Sequence, residues 1–186
     1  MNRIFLQALT YWDSWHPDLF DGGKILIEVS IVPVRDSWRN FWRLSGFEKG
    51  AVLESAAGHL ATAAGLRLAG FQSWKSFLEW TTPSHIENFR SPASEQVSCA
   101  HLLARLESST SRRLPFRVNC LEKSLVLWWL LRRRLIPAEI RIGARKEGER
   151  FEAHAWVEVN GGVLDGPDDM HLHFVPFDGP LYPTES

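Results

Sequence analysis

The segment NCLEKSLVLWWLLRRR, residues 119–134, decides which fold the chain can adopt. Asn119 is a favourable N-cap residue, which places Cys120 at the first position of a helix. The apolar residues of the segment recur at helical spacing and form one face: Leu121, Leu125, Trp128 and Leu131. The arginines at its end suit the negative pole of the helix dipole, and Pro137 prevents continuation. We therefore predict a helix over 120–134 that begins at a cysteine.

Strands are predicted after this helix. Residues 139–145 (EIRIGAR) and 151–159 (FEAHAWVEV) alternate between apolar and polar side chains, as half-buried strands do. Gly148 lies in the turn between them, and the tripeptide NGG at 160–162 is a strong signal for a second tight turn, into a short strand ending near Asp165. Strands joined by such turns are antiparallel, so we predict a small antiparallel sheet. The tail, residues 166–186, is expected to be irregular.

The residues before the segment follow helical periodicity. They predict helices over about 48–68 and 94–108, with a further helical stretch between Gly70 and Trp80 and a loop at 81–95. In the first helix we expect these residues to face the core: Val52, Leu53, Ala56, Ala57, Leu60, Ala64 and Leu68. Helices that precede a small antiparallel sheet define the α+β class.

We divide the chain into an N-terminal extension, residues 1–37, and one domain, residues 38–186. The extension contains a β-like run at 24–34 (KILIEVSIVPV) after the turn signal DGG at 21–23. Both an edge strand and an arm that packs on the domain or on a partner fit this run. The sequence assigns the extension no role.

The composition excludes several classes of protein. Of the 186 residues 45% are hydrophobic and nine are tryptophan, which is too apolar for a disordered chain. The formal net charge of −1 gives no general attraction to nucleic acid or to an anionic membrane, and we expect neither as a partner. Two cysteines can form neither a disulfide scaffold nor a cysteine-rich zinc site. No secretory signal or membrane span is evident, so we expect a cytoplasmic protein.

Cys120, His154 and Asp165 occur in an order that suggests a thiol hydrolase. A helix N-terminus and a nearby imidazolium both lower the pKa of a thiol and so favour the nucleophilic thiolate. A histidine can then move the proton, and a carboxylate can hold the histidine tautomer. The residues alone also fit plain structural roles, namely a small buried cysteine, a half-buried histidine and a turn carboxylate. Asp168 and Asp169 lie close enough to compete for the third position.

Other residues are weaker candidates. Trp128, Trp129 and Trp156 lie near the proposed site and are candidates for substrate contact. Because Trp128 and Trp129 are neighbours on one helix and cannot both face inward, one of them is expected to be exposed, where it could contact a peptide or a partner. Gln72 and Gln96 are both candidates for a second oxyanion donor. Cys99 is expected to be structural. The pair His171 and His173 has no third ligand nearby, so we assign no metal.

Residues 120–134, 136–146 and 152–158 resemble the lasso peptide biosynthesis B protein, and more narrowly its peptidase half, a transglutaminase-like domain. In that family a cysteine opens a leucine-rich helix with an arginine-rich end, an I-P-A element leads into an I-G strand, and an EAHAWVE strand carries the histidine. The resemblance is dense from Arg117 to Asp165 and extends more weakly back to about Ser37. It implies an α+β fold of transglutaminase/papain-like type.

The resemblance implies a cysteine peptidase that removes the leader from a lasso precursor peptide. Cys120 would be the nucleophile, His154 the general base and acid, and Asp165 the orienting carboxylate. The partners implied are the precursor, a separate leader-recognition protein and an ATP-dependent cyclase. No phosphate-binding loop of the form GxxxxGK[ST] is present, so we expect no nucleotide and no other cofactor. The chain departs from the family at Leu135, where glycine is usual, and its residues 1–37 have no clear counterpart.

Two other functions keep the same residues. An amine instead of water could accept the acyl group from Cys120, which would make the protein a transglutaminase-like acyl transferase. Alternatively, a catalytically silent scaffold could bind the precursor or the cyclase through exposed aromatic side chains.

Overall fold

Helices precede an antiparallel sheet in the computed structural model, which describes residues 41–83, 93–147, 150–164 and 174–176. The helices are α1 (Gly46–Trp80), α2 (Ala93–Ser111) and α3 (Cys120–Arg132). The strands are β1 (Glu139–Glu147), β2 (Arg150–Val159), β3 (Gly162–Val163) and β4 (Val175–Pro176), and they pair in the order β3-β2-β1-β4. The predicted α+β class is therefore confirmed. The extension at 1–37 lies outside the described residues.

Helix α1 contains the break that the sequence predicts. Gly70 has φ 75° and ψ 171°, a conformation that a residue with a side chain rarely adopts, and the helical direction changes there. At its start, Ser45 accepts a hydrogen bond from the Glu48 N–H at 3.2 Å, and the Glu48 carboxylate accepts one from the Ser45 N–H at 2.8 Å. This capping box fixes the first turn.

The face that α1 turns toward the core differs from the predicted one. Leu53, Leu60 and Leu68 are 61%, 60% and 88% exposed, so their predicted place in the core is wrong. Small and polar residues are buried instead: Ala51, Ser55, Gly58, His59, Thr62 and Gly65. A Cβ added at Gly58 would lie only 3.3 Å from Val126 on α3. Close approach of the two helices therefore selects small side chains over large apolar ones.

Helix α3 is the centre of the domain and packs against α1, α2, β1 and β2. Its buried apolar residues form the core with apolar residues of β2 and of the connection between α3 and β1: Leu125, Leu127, Trp128, Leu131, Ile136, Ala138, Val157 and Val159. The helix ends in a Schellman motif, in which the Ile136 N–H bonds to the Leu131 carbonyl at 3.1 Å and Leu135 adopts φ 58°. This left-handed position favours glycine, so Leu135 adopts a conformation there that residues with a side chain rarely adopt.

The sheet is built on the predicted hairpin. Asn160 and Gly161 have φ 51° and 78°, as a type I′ turn between β2 and β3 requires. Strand β4 pairs with β1 at Gly143 and Ala144, so the expectation of a wholly irregular tail is wrong at residues 175–176. A two-residue strand containing proline has no alternating pattern, and proline is tolerated because β4 lies at the sheet edge.

Candidate active site

Cys120 occupies the first helical position of α3, as predicted. Asn119 caps the helix: its side-chain oxygen accepts a hydrogen bond from the Glu122 N–H at 2.8 Å, and Glu122 accepts one from the Asn119 N–H at 3.0 Å. The N–H groups of a first helical turn have no partner within the helix and carry the positive end of its dipole. The half-buried thiol of Cys120 therefore lies where negative charge is stabilised.

The second cysteine has a different environment. Cys99 lies on α2 and packs against the helical core. Burial raises the pKa of the Cys99 thiol, and the positive charge of Arg134, near the opposite end of α3 from Cys120, offsets this only in part. A thiol with a raised pKa stays protonated at neutral pH and is a poor nucleophile. These properties fit the structural role expected for Cys99.

His154 lies on β2, directly opposite Gly143 of β1. Its imidazole is half-buried between aromatic rings, with centroid distances of 6.4 Å to Trp156 and 5.4 Å to Phe174. These rings belong to the sheet face opposite the one on which the helical core packs. Burial lowers the pKa of His154 below its usual 6.5, and the positive charges of Lys123 and Arg145 lower it further. The imidazole is therefore neutral at pH 7 and can accept a proton.

Lys123 of α3 affects the titration of His154 on β2. It lies one helical turn after Cys120, on the first part of α3. Its positive charge is one of the causes that lower the pKa of His154. The two elements that carry the predicted catalytic residues Cys120 and His154, α3 and β2, are in contact.

Sequence reasoning missed three residues around His154: Lys123, Arg145 and Phe174. Arg145 pairs with Glu152 at 2.6 Å and also covers the Phe174 ring, 5.1 Å from its centroid. The hairpin register was the available signal for Arg145, because it places that residue opposite Glu152, two positions before His154. No local pattern indicated Lys123 or Phe174.

The third predicted catalytic residue, Asp165, lies outside the described residues, as do Asp168 and Asp169, so its role stays a prediction. Leu164, which precedes it, donates its N–H to the Val157 carbonyl at 3.0 Å. Gln72 is exposed on α1 and Gln96 is half-buried in the first turn of α2. The choice between these two oxyanion candidates therefore also remains a prediction.

The three tryptophans predicted to contact substrate differ in exposure. Trp128 is 3% exposed and donates its indole N–H to the Ala138 carbonyl at 3.0 Å, while Trp156 is fully buried. Trp129 is half-buried and donates to the Thr81 hydroxyl at 2.9 Å. Of the three, Trp129 retains the most surface, but it lies about 13 Å along the helix from Cys120. A substrate contact at these rings remains untested.

The described residues contain no group of three histidine, cysteine, aspartate or glutamate side chains that could hold a metal ion. His171 and His173 lie outside this part of the chain. None of the helices in it is both long enough and apolar enough to cross a bilayer.

Comparison with known proteins gives one match. A family model described as the transglutaminase-like superfamily matches residues 60–177, which include both Cys120 and His154. No curated protein and no solved structure matches the chain.

Proposed function

Because the chain belongs to the transglutaminase-like superfamily, we propose that it is a cysteine peptidase that removes the leader peptide from a ribosomally synthesised lasso precursor. Members of this superfamily are generally cysteine-protease-like. The observation that supports the proposal is the position of Cys120 at the capped start of α3, a helix that packs against β2, the strand that carries the neutral imidazole of His154. The proposed reaction requires this imidazole to lie beside the thiol, where it acts as the base that activates the nucleophile.

The reaction has two stages. His154 accepts the thiol proton of Cys120, and the thiolate attacks the scissile carbonyl of the precursor. Collapse of the tetrahedral intermediate forms a thioester on Cys120, and the leaving amine takes the proton from His154. Water, deprotonated by the same imidazole, then hydrolyses the thioester and releases the leader acid.

Two further groups support these stages. The backbone N–H of Cys120, at the start of α3, donates to the oxyanion of each tetrahedral intermediate. Asp165 holds the tautomer of His154 that carries its lone pair toward the thiol. The start of α3 supports the first role, and the resemblance to the lasso peptide B protein supports the second.

The lasso precursor as substrate is supported by the sequence between Arg117 and Asp165, where the cysteine helix, the I-P-A turn and the EAHAWVE strand resemble the B protein of lasso peptide biosynthesis. The same resemblance supports a separate leader-recognition protein and a cyclase as partners. The resemblance does not extend to residues 1–37, and we propose that the peptidase domain begins near residue 38.

Mass spectrometry of a reconstituted reaction tests the proposal. The purified protein is incubated with its precursor and the leader-recognition protein, and we expect separate leader and core masses. Cys120→Ala should abolish cleavage, while Cys99→Ala should retain it. An amine adduct of the precursor in place of two fragments would identify an acyl transferase. An unchanged precursor that still binds would identify a scaffold, and either result overturns the peptidase.

A further inference from the structure

Two open grooves flank the first turn of α3. One has a volume of about 480 Å³ and lies along the chain that leads into the helix, where Arg112, Arg117 and Lys123 contribute to its walls. The other has a volume of about 630 Å³ and is lined by His101 and Arg105 of α2, together with Leu164 and again Lys123. Lys123 lines both grooves, so both lie beside the N-terminal turn of α3.

The permanent cations of these grooves lack carboxylate partners in the part of the chain that the structure describes. Arg105, Arg112, Arg117 and Lys123 form no ion pair there. Elsewhere, arginines on the same domain are paired. Arg134 binds Glu54 at 2.9 Å, and Arg141 binds Glu139 at 2.8 Å.

Among the described residues, a cluster of like charge without acidic partners is unfavourable for the free protein and favourable for an anion that enters it. No described residue that lines either groove is acidic. The grooves therefore concentrate positive potential at a concave surface, although the chain as a whole has a net charge of −1.

The grooves adjoin the reacting groups. Residues 112–118 run directly into Asn119 and Cys120, and Lys123 is near enough to His154 to affect its titration. Leu164 immediately precedes Asp165 in the chain. An extended peptide that reaches from one groove to the other across Lys123 must pass the first turn of α3, where the nucleophile lies.

We infer that these two grooves bind an acidic segment of the peptide substrate on either side of the bond that Cys120 attacks. The inference rests on the proposed peptidase function. It adds the substrate class: peptides that carry glutamate or aspartate near the scissile bond are bound, and their neutral counterparts are bound more weakly. Arg105 and Arg117 determine this specificity, and neither touches the reacting atoms.

Binding to the full-length Cys120→Ala protein tests the inference without requiring cleavage. Two dye-labelled peptides are compared by fluorescence anisotropy, one with several glutamates and one with glutamine in their place. We expect the acidic peptide to bind about tenfold more tightly at low salt. Its advantage should shrink as the salt concentration rises from about 50 to 500 mM, because salt screens the charges.

The double variant Arg105→Gln/Arg117→Gln should bind the acidic peptide about fivefold more weakly than the unsubstituted grooves do. Its affinity for the neutral peptide should be unchanged. The matched control is Arg133→Gln with Arg141→Gln, which removes the same charge from arginines that pair with carboxylates elsewhere. Equal weakening by both pairs would overturn the inference, since net charge alone would then explain the binding. Equal affinity of the wild-type grooves for both peptides would also overturn it, as would tighter binding of a single-stranded oligonucleotide of the same charge.

Kinetics separate this inference from the proposed function. In a protein that cleaves, the Arg105 and Arg117 substitutions should raise KM for an acidic precursor and leave kcat unchanged. If the wild-type protein bound the acidic peptide but did not cleave the precursor, the proposed peptidase function would be contradicted and the groove inference would stand. Normal cleavage with no preference for acidic peptides would contradict the grooves alone.

Discussion

Gly143 lies directly opposite His154 in the β1–β2 register, and the absence of a side chain at Gly143 lets aromatic rings close around the imidazole. A Cβ at this position would lie 2.9 Å from Cη2 of Trp156, 3.1 Å from Cβ of Phe174 and 3.0 Å from the Val175 carbonyl oxygen. Trp156 is fully buried and cannot swing away. The glycine therefore sets the position of both rings that contact His154.

Gly143→Ala should lower the free energy of unfolding by about 1–3 kcal/mol, because the new methyl group overpacks this cluster. It should also lower the catalytic rate, since the rings that position His154 must shift. Urea unfolding and a cleavage assay measure the two effects. Gly50→Ala is the control: nothing lies within 4 Å of a Cβ there, so alanine should stabilise α1 by about 0.5–1 kcal/mol. Tolerance of alanine at Gly143 would show that the packing around His154 is loose.

Lys123→Gln should raise the pKa of His154. Burial remains after this substitution, but one of the two positive charges that disfavour the imidazolium is gone. NMR titration of the histidine ring protons measures the shift directly, and the acidic limb of kcat/KM should move to higher pH with it. Lys49→Gln removes an equal charge that lies over the Trp42 ring, and the pKa of His154 should not respond.

The same titration has a consequence for stability. Since the folded pKa of His154 lies below the unfolded value of about 6.5, the unfolded chain binds the proton more readily. The contribution of the neutral imidazole to folding is therefore complete above about pH 6.5 and is lost as the pH falls through the folded pKa. Urea unfolding curves at decreasing pH should show this loss of unfolding free energy. The loss should be smaller in the Lys123→Gln variant, in which the pKa of His154 lies closer to its unfolded value. A wild-type pKa above 6.5 would contradict both expectations.

The two cysteines should differ in reactivity toward iodoacetamide. At neutral pH we expect Cys120 to be alkylated roughly tenfold faster than Cys99, because the helix start favours the thiolate at Cys120 and burial raises the pKa of Cys99. Peptide mapping by mass spectrometry gives both rates in one experiment. Cys99→Ala should leave the fast phase intact and Cys120→Ala should remove it. Faster labelling at Cys99 would place the reactive thiol on α2.

Local signals in the sequence were sufficient for the elements that carry the site. An N-cap, an apolar period and a proline defined α3, and alternation with an Asn-Gly turn defined the hairpin. What depends on distant residues was missed. The buried face of α1 is set by how closely α3 approaches at Gly58, and this approach has no signature within α1 itself. Lys123 influences His154 because α3 packs on the sheet, and the Phe174 ring lies against His154 because β4 pairs at the sheet edge. Neither arrangement is visible in the periodicity of the sequence.

A buried side-chain hydrogen bond joins α1 to α2. Nε2 of His59 lies 2.9 Å from Oε1 of Glu107, and both side chains are fully buried. Within the described chain, the second nitrogen of His59 and the second oxygen of Glu107 have no hydrogen-bond partner. Glu107→Leu should therefore lower the free energy of unfolding by about 1–3 kcal/mol, since it leaves His59 buried without its hydrogen-bond partner.

Replacing both His59 and Glu107 by leucine should be less destabilising than Glu107→Leu alone, because no polar group is then left unpaired. Urea unfolding of the single and double variants measures the coupling. Glu139→Gln is the exposed control: it removes a partner of Arg141 at the surface and should change stability by less than about 1 kcal/mol. Losses that simply add in the double variant would mean that the two side chains do not interact.

The capping box at the start of α3 is expected to affect both the stability of the helix and the reactivity of Cys120, and the two effects can be measured separately. Asn119→Ala removes the acceptor for the Glu122 N–H and should lower the free energy of unfolding by about 1 kcal/mol. Ser45→Ala breaks the equivalent box at the start of α1 and should have a similar effect on stability. Cys120 follows only the first of these caps, so Asn119→Ala should also slow alkylation of Cys120, as the first turn frays and its N–H groups lose their alignment. Equal alkylation rates in the two variants would mean that the cap at Asn119 stabilises the helix without contributing to the reactivity of the thiol.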